Sequence, residues 1–242
     1  MHPAPFGLVP FGNGLNRYDP GKNTVTYYPL FKDAVTGLQL EVPWWACTSR
    51  DGMLWIGYWR GLYRADPSRK NIAYFATGTA VMQIYADRFG AVWYGTDEGL
   101  IRKDPLISTE QHFVHNPHQS YSLSNNRVEA IYEDRAGELW IGTEKGLDCF
   151  DRKTGTFSHF HFNNIKDDSL INDGAGSIYE DSHGSFWLGI QEGLIHINRQ
   201  SHTIITHYRH NPEDSNSLIK GRYCLFMRIR PATSGLQHSE EL

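Results

Sequence analysis

Four short segments of one pattern govern what this chain can become: Leu54-Trp55-Ile56-Gly57, Val92-Trp93-Tyr94-Gly95, Leu139-Trp140-Ile141-Gly142 and Phe186-Trp187-Leu188-Gly189. Six residues beyond each tryptophan stands a Gly-Leu pair, namely Gly61-Leu62, Gly99-Leu100, Gly146-Leu147 and Gly193-Leu194, and a fifth pair, Gly14-Leu15, precedes them. Successive glycines of these pairs lie 47, 38, 47 and 47 residues apart. A period of this size means that one supersecondary unit is copied along the chain and that neighbouring copies bury each other's apolar faces. Five residues after the glycine comes Asp19, Asp66, Asp104, Asp151 or Asn198, and then a pair, Tyr27-Tyr28, Tyr74-Phe75, His112-Phe113, His159-Phe160 or His207-Tyr208. Most copies continue into a connector such as Asn116 to Asn126. The copy after Phe75 lacks nine residues of it, which accounts for the interval of 38 and puts the deletion between units, where a repeat fold tolerates it.

Each unit reads as four short strands. In the clearest copy they are expected at 128–133, 138–143, 147–150 and 156–161, from alternation of apolar and polar residues and from β-branched and aromatic content, with Asp and Gly at the breaks. The 13% of aromatic residues and the 23 glycines agree with many short strands joined by tight turns. Four antiparallel strands in a unit of this length make a propeller blade, so the fold class is all-β. The repeats span 12–227, with complete blades at about 43–76, 80–115, 127–162 and 174–209 and partial ones at 12–29 and 222–227. Residues 1–11 and 228–242 fall outside the pattern. Both ends depart from it: position 8 is Leu where a tryptophan is due, and Arg228-Ile229-Arg230-Pro231 replaces the Asp turn with no Trp-x-Gly after it. The sequence therefore reads as part of a larger array.

A blade packs both faces on its neighbours and needs a large flat residue in a middle strand. Trp55, Trp93, Trp140 and Trp187 suit that role, and Gly57, Gly95, Gly142 and Gly189 permit close backbone approach. Truncating such a wedge, as in Trp140→Ala, should cost about 3 to 5 kcal/mol.

Several function classes drop out on composition. Net charge is -4, from 23 basic and 27 acidic residues mixed along the chain, so no basic face is on offer to nucleic acid. Cys47, Cys149 and Cys224 are odd in number, far apart and without Cys-x-x-Cys spacing, which fits small buried residues better than a disulfide framework or a zinc site. No run of 18 apolar residues exists, so no membrane contact is expected of this chain itself, and the stretch from Met1 to Phe6 has neither the basic start nor the apolar run of a signal peptide.

The stretch Ile131-Tyr132-Glu133-Asp134-Arg135-Ala136-Gly137-Glu138-Leu139-Trp140-Ile141-Gly142-Thr143-Glu144-Lys145-Gly146-Leu147, with its Asn-Pro and Ser-Leu-Ser-Asn-Asn connector, closely resembles the two-component regulator propeller repeat. That repeat is typical of the sensor half of hybrid two-component histidine kinases in Bacteroidetes-type bacteria. The resemblance implies a periplasmic input region in a dimeric parent kinase that senses glycans or their breakdown products and drives a phosphorelay. No phosphoacceptor His motif, Gly-rich ATP lid or spanning helix is visible, so signalling output would belong to other parts of a parent protein.

The sequence offers two kinds of candidate site. His112, His159 and His207 occupy the slot held by Tyr27 and Tyr74 in other copies, so they read as repeat positions on fourth strands, and no metal or other cofactor is expected. The Asp-x-x-Gly segments at Asp87, Asp134 and Asp181 lack the alternating oxygen ligands of a calcium loop and read as β-turns. The turn after the Trp-x-Gly strand is more informative. It carries Asp97-Glu98, Glu144-Lys145 and Gln191-Glu192 in three copies but Trp59-Arg60, after Tyr58, in the first. In a four-stranded meander that turn leaves from the same end as the link to the next blade, the usual ligand face of propellers. Trp59 and Arg60, with nearby Trp44 and Trp45, offer a stacking platform and a bidentate donor fork for a sugar or uronic acid, against the plainer reading that Trp44 or Trp45 plugs a blade interface.

The leading expectation is a non-catalytic carbohydrate-sensing module. Its rivals are a propeller lyase of the streptogramin-inactivating type, which would need a general base and metal-binding carboxylates converging on the channel, and a scaffold for protein partners; fold alone does not separate them.

Overall fold

The computed structural model describes residues 6–8, 14–19, 22–29, 45–66, 68, 71–104, 109–160, 174–191, 193–219, 223–229 and 233–238. Every regular element among them is a β-strand. The first sheet holds β1 (Phe6–Leu8), β2 (Gly14–Asp19) and β3 (Thr24–Pro29). The second holds β4 (Trp45–Thr48), β5 (Leu54–Tyr58), β6 (Gly61–Ala65) and β7 (Ile72–Ala76). The third holds β8 (Val81–Ala86), β9 (Val92–Thr96), β10 (Leu100–Lys103) and β11 (Glu110–Phe113). The fourth holds β12 (Val128–Glu133), β13 (Leu139–Thr143), β14 (Gly146–Asp151) and β15 (Thr156–His159). The fifth holds β16 (Ser177–Glu180), β17 (Phe186–Ile190), β18 (Gly193–Asn198) and β19 (Thr203–Tyr208). A last pair, β20 (Tyr223–Ile229) and β21 (Thr233–His238), forms a hairpin.

In each four-stranded sheet sequence neighbours are sheet neighbours, the meander of a propeller blade. The four sheets coincide with the four complete repeats. Strand pairing also runs into the flanks: Phe6 pairs with Tyr18, and β20 and β21 carry pairing across position 228. Ladder formation needs only backbone geometry and suitable propensity, so it does not stop where the Trp-x-Gly pattern does.

The chain divides into two compact units, residues 1–97 with 101–112, and residues 98–100 with 113–242. In the first, β5 is buried along its whole length because successive side chains point to opposite faces and both faces are packed. Trp55, Leu62, Val81, Ile84, Val92, Tyr94 and Ile101 form one cluster, and Leu54, Ile56, Tyr58, Tyr63 and Ala65 form another on the opposite face of the same sheet. Gly57 is needed here: a Cβ on it would stand 2.7 Å from Val81 Cγ1.

In the second unit, Trp140, Leu147, Phe160, Phe186, Leu188 and Ile195 lie in the core cluster between the sheets β12–β15 and β16–β19. Trp140 meets Phe186 edge-on at 5.1 Å and Phe160 at 5.7 Å, the arrangement the ring quadrupoles favour. The Ala175 amide donates to the Thr143 carbonyl at 3.0 Å beside Gly142, where any side chain would strike the Ala175 carbonyl.

Candidate functional site

Each tryptophan is anchored by the turn that precedes its strand. Trp93 Nε1 donates to Asp87 Oδ2 at 2.8 Å, Trp140 to Asp134 Oδ2 at 2.9 Å and Trp187 to Asp181 Oδ2 at 3.2 Å. The other carboxylate oxygen accepts amides of the turn itself, Ala91 at 2.9 Å, Glu138 at 2.9 Å and Ser185 at 3.0 Å. Gly90, Gly137 and Gly184 close these turns at φ of 95°, 95° and 81°, which an L side chain rarely adopts. In the β4–β5 turn Ser49 takes the aspartate's place: its Oγ accepts from Trp55 Nε1 at 3.1 Å and donates to Asp51 at 2.5 Å. The Asp-x-x-Gly turns are thus β-turns, as expected, with a second task that turn propensity alone does not announce. Its signal was the constant six-residue step from Ser49, Asp87, Asp134 and Asp181 to the following Trp.

The residue across the strand pair from the tryptophan is a second anchor. Trp55 faces Arg64, Trp140 faces Cys149 and Trp187 faces His196. Arg64 lies 5.7 Å from the Trp55 ring centre, Arg102 5.7 Å from that of Trp93, and His196 stacks on Trp187 at 4.1 Å with planes 9° apart. Trp55 and Trp93 are fully buried and Trp140 is 5% exposed. Trp187 is only half-buried, with His196 and Tyr208 stacked on it.

Trp44 and Glu192 lie outside the described residues. Trp59 is 53% exposed and Arg60 is exposed beside it in the turn between β5 and β6. The turn is braced from below, as Tyr74 Oη donates to the Arg60 carbonyl at 3.0 Å and the Thr77 amide reaches the same oxygen at 3.3 Å. Trp45, half-buried, pairs with Gly57 and so starts β4 next to this turn. Tyr58 does not join the exposed platform. Its ring packs edge-on to Tyr63 at 5.2 Å, and its hydroxyl is buried without a hydrogen-bond partner, so desolvation pushes the phenol well above its ordinary pKa. Asp97, Glu98, Glu144, Lys145 and Gln191 are all exposed. Glu144 and Gln191 border a pocket with Glu129, Gly174 and Gly176, of only about 40 Å³. That holds a water molecule or so and is far too small for a sugar.

The histidines sit on fourth strands in different surroundings. His112 is exposed, 3.6 Å from Glu110, on β11. Burial would raise the Glu110 carboxyl, but Lys103 at 2.6 Å and the Tyr94 hydroxyl hold it below the usual range. His159 Nδ1 lies 2.7 Å from fully buried Asp148, and that hydrogen bond raises its pKa against the opposing effect of burial. Sequence reasoning missed Asp148 and the residues it holds: Ser124 donates to it through its amide at 2.9 Å and its hydroxyl at 3.0 Å. Among the described residues no group of three or more His, Cys, Asp or Glu is placed to hold a metal ion. Burial pushes the Cys47 and Cys149 thiols to about 12, which makes them packing groups rather than nucleophiles.

Residues 122–145 match the family model described as "two component regulator propeller". This segment is similar to that repeat. It covers the end of the connector, β12, the Asp134 turn and β13, the stretch that contains the Ser124 and Trp140 anchors. No curated protein matches the chain. Among solved structures it is similar to the extracellular domain of a hybrid two-component system of B. thetaiotaomicron, at 20% identity over 91% of this chain and 29% of that one, with a TM-score of 0.66. The extracellular domain of a second such system of that organism gives 20% identity, 90% and 29% coverage and a TM-score of 0.66. A streptogramin B lyase is similar at 14% identity over 87% of this chain and 64% of that one, TM-score 0.60. These likenesses establish the propeller fold, and the chain spans less than a third of the two-component extracellular domains it matches. No helix among the described residues is long and apolar enough to cross a membrane.

Proposed function

We propose that this chain is a sensing segment of the periplasmic region of a two-component signalling protein, without catalytic activity of its own, and that it reads a glycan-derived ligand at the turn between β5 and β6. The repeat at residues 122–145 and the likeness to extracellular domains of two-component systems support the sensor reading. The ligand reading rests on one observation. In the turn where other blades carry Asp97-Glu98, Glu144-Lys145 or Gln191, this blade carries an indole 53% exposed beside an exposed guanidinium. An indole face stacks on the apolar face of a pyranose, and a guanidinium forms paired hydrogen bonds with a carboxylate, so the pair suits a uronic acid better than a neutral sugar. Ligand binding would then act by favouring one of two states of a dimeric parent kinase, to the extent that the ligand binds those states differently.

Calorimetric titration of the protein with oligogalacturonides and with neutral oligosaccharides of equal length tests this. Binding of the acidic series, weakened roughly tenfold or more by Arg60→Ala, the loss of one charge-assisted contact, is the expected result. Absence of binding, or binding untouched by both Arg60→Ala and Trp59→Ala, removes the site. Incubation with a streptogramin B is expected to leave the antibiotic's ring intact, and ring opening would favour the lyase reading.

A further inference from the structure

The connector between the third and fourth sheets, residues 114–126, is a folded device of its own. The His115 ring Nδ1 lies 2.6 Å from the Leu123 carbonyl, the Asn116 amide donates to Ser122 Oγ at 2.9 Å, and Ser122 Oγ returns a bond to the Asn116 carbonyl at 3.0 Å. The loop is fastened to the fourth sheet at three places. Leu123 is fully buried, Ser124 is held by Asp148 and by Thr143 Oγ1 at 2.7 Å, and the Phe157 amide donates to the Tyr121 carbonyl at 2.8 Å. A fourth tie is His159. Its Nδ1 faces Asp148 at 2.7 Å, and the ring also donates to the backbone carbonyl of Ser120. A carboxylate and a carbonyl can only accept, so both hydrogen bonds favour the imidazolium, which has two N–H donors where the neutral ring has one.

From this geometry we infer that the connector is a proton-operated latch: protonated His159 clamps its middle, Ser120 to Ser122, onto β15, and neutral His159 releases it while Ser124 stays tied to Asp148. The charged groups on the neighbouring elements are few. β14 brings Asp148 and, at its far end, exposed Asp151, and the turn before it brings exposed Glu144 and Lys145. β15 has no other titratable side chain, and the connector itself contains no Asp, Glu, Lys or Arg, only His115, His118 and Tyr121. Among these groups His159 is the one that bridges loop and sheet. The hydrogen bond to Asp148 raises the folded-state pKa of His159 above 6.5. The stabilisation from this tie is then fully present below that ordinary value and is lost as pH rises through the higher folded value. Release would loosen a loop that lies beside the Glu144-Lys145 turn, since the Glu144 amide donates to the Arg127 carbonyl directly after the connector.

The test reads amide hydrogen exchange at Phe157, whose N–H is protected only while the Tyr121 carbonyl is docked, with correction for the intrinsic pH dependence of exchange. Protection should fall at least roughly fivefold between pH 5.5 and 8, the scale of losing one ordinary hydrogen bond, while the amide of Ile141 in the core strand β13 stays unchanged. Asp148→Asn should move the transition to lower pH, and His159→Gln should abolish its pH dependence. Equal protection at both pH values in the unmodified protein overturns the latch, as does an unaltered profile in Asp148→Asn. Should His159→Gln fail to fold, these two measurements still decide.

Discussion

The sheets β12–β15 and β16–β19 contain the same motif with different weight placed on it. In the first, Trp140 is 5% exposed, lies between Phe160 and Phe186, and gives its indole proton to an Asp134 that also accepts from Arg199 Nη1 of the following sheet. In the second, Trp187 is half-buried under His196 and Tyr208, and its anchor Asp181 is partly exposed. The indole, the carboxylate and the six-residue step are the same. What differs is how far each set is shielded from water, and this sets how much each interaction is worth.

Truncation should show the difference at full scale. Trp140→Ala is expected to cost about 3 to 5 kcal/mol, because the rings around it cannot collapse into the void. Trp187→Ala should cost roughly half as much, since its half-exposed ring contributes less transfer free energy. Denaturant unfolding of the two variants measures both. Equal costs would mean that the two tryptophans fill equivalent wedges despite their different exposure.

The repeat, the number of four-stranded sheets and the position of the short connector were all legible in the spacing of Trp and Gly-Leu. Those residues are repeated because packing demands them in every copy, and repetition is what a single sequence can display. The anchoring role of Asp87, Asp134 and Asp181 was present in the same spacing but hidden, because Asp and Gly in a turn are already accounted for by backbone preference. The row Arg64, Arg102, Cys149 and His196 shows no common chemistry until strand register places Arg64, Cys149 and His196 across from tryptophans and the fold brings Arg102 over Trp93. Asp148 could not have been found: it occurs once, where other copies have Tyr63, Ile101 and Ile195, and its partner Ser124 is 24 residues away. Of the ligand-face candidates, the irregularity at Trp59-Arg60 was readable, whereas the burial of Tyr58 followed from packing on Tyr63 that only the folded sheet reveals.

Removing the turn carboxylate tests the same contrast at smaller scale. Asp134→Ala deprives the indole, the Glu138 amide and Arg199 of an acceptor in a buried setting and should cost about 2 to 4 kcal/mol, while Asp181→Ala should cost about 1 to 2. Asp181 also leaves a signature in pH. Burial acts to raise its pKa, but the Ser185 and His183 amides, the Trp187 indole and His196 outweigh it and hold the carboxyl below the ordinary 3.8. Its contribution is therefore present above 3.8 and lost as pH falls through the depressed folded value. Acid unfolding of Asp181→Asn compared with the unmodified protein should show a smaller loss of stability below pH 3.8.

The smallest effect is the most pointed. If the sheet β16–β19 is weaker because a histidine stands where Arg64 and Arg102 stack on their tryptophans, then His196→Arg should restore that arrangement. An arginine there remains charged at neutral pH, covers the Trp187 face and lies within reach of Asp181, which is 3.5 Å from His196 Nε2. A gain of about 0.5 to 1 kcal/mol is expected. Denaturant unfolding checks this, and a loss would show that the flat imidazole, 9° from parallel with the indole, is the better cover for Trp187.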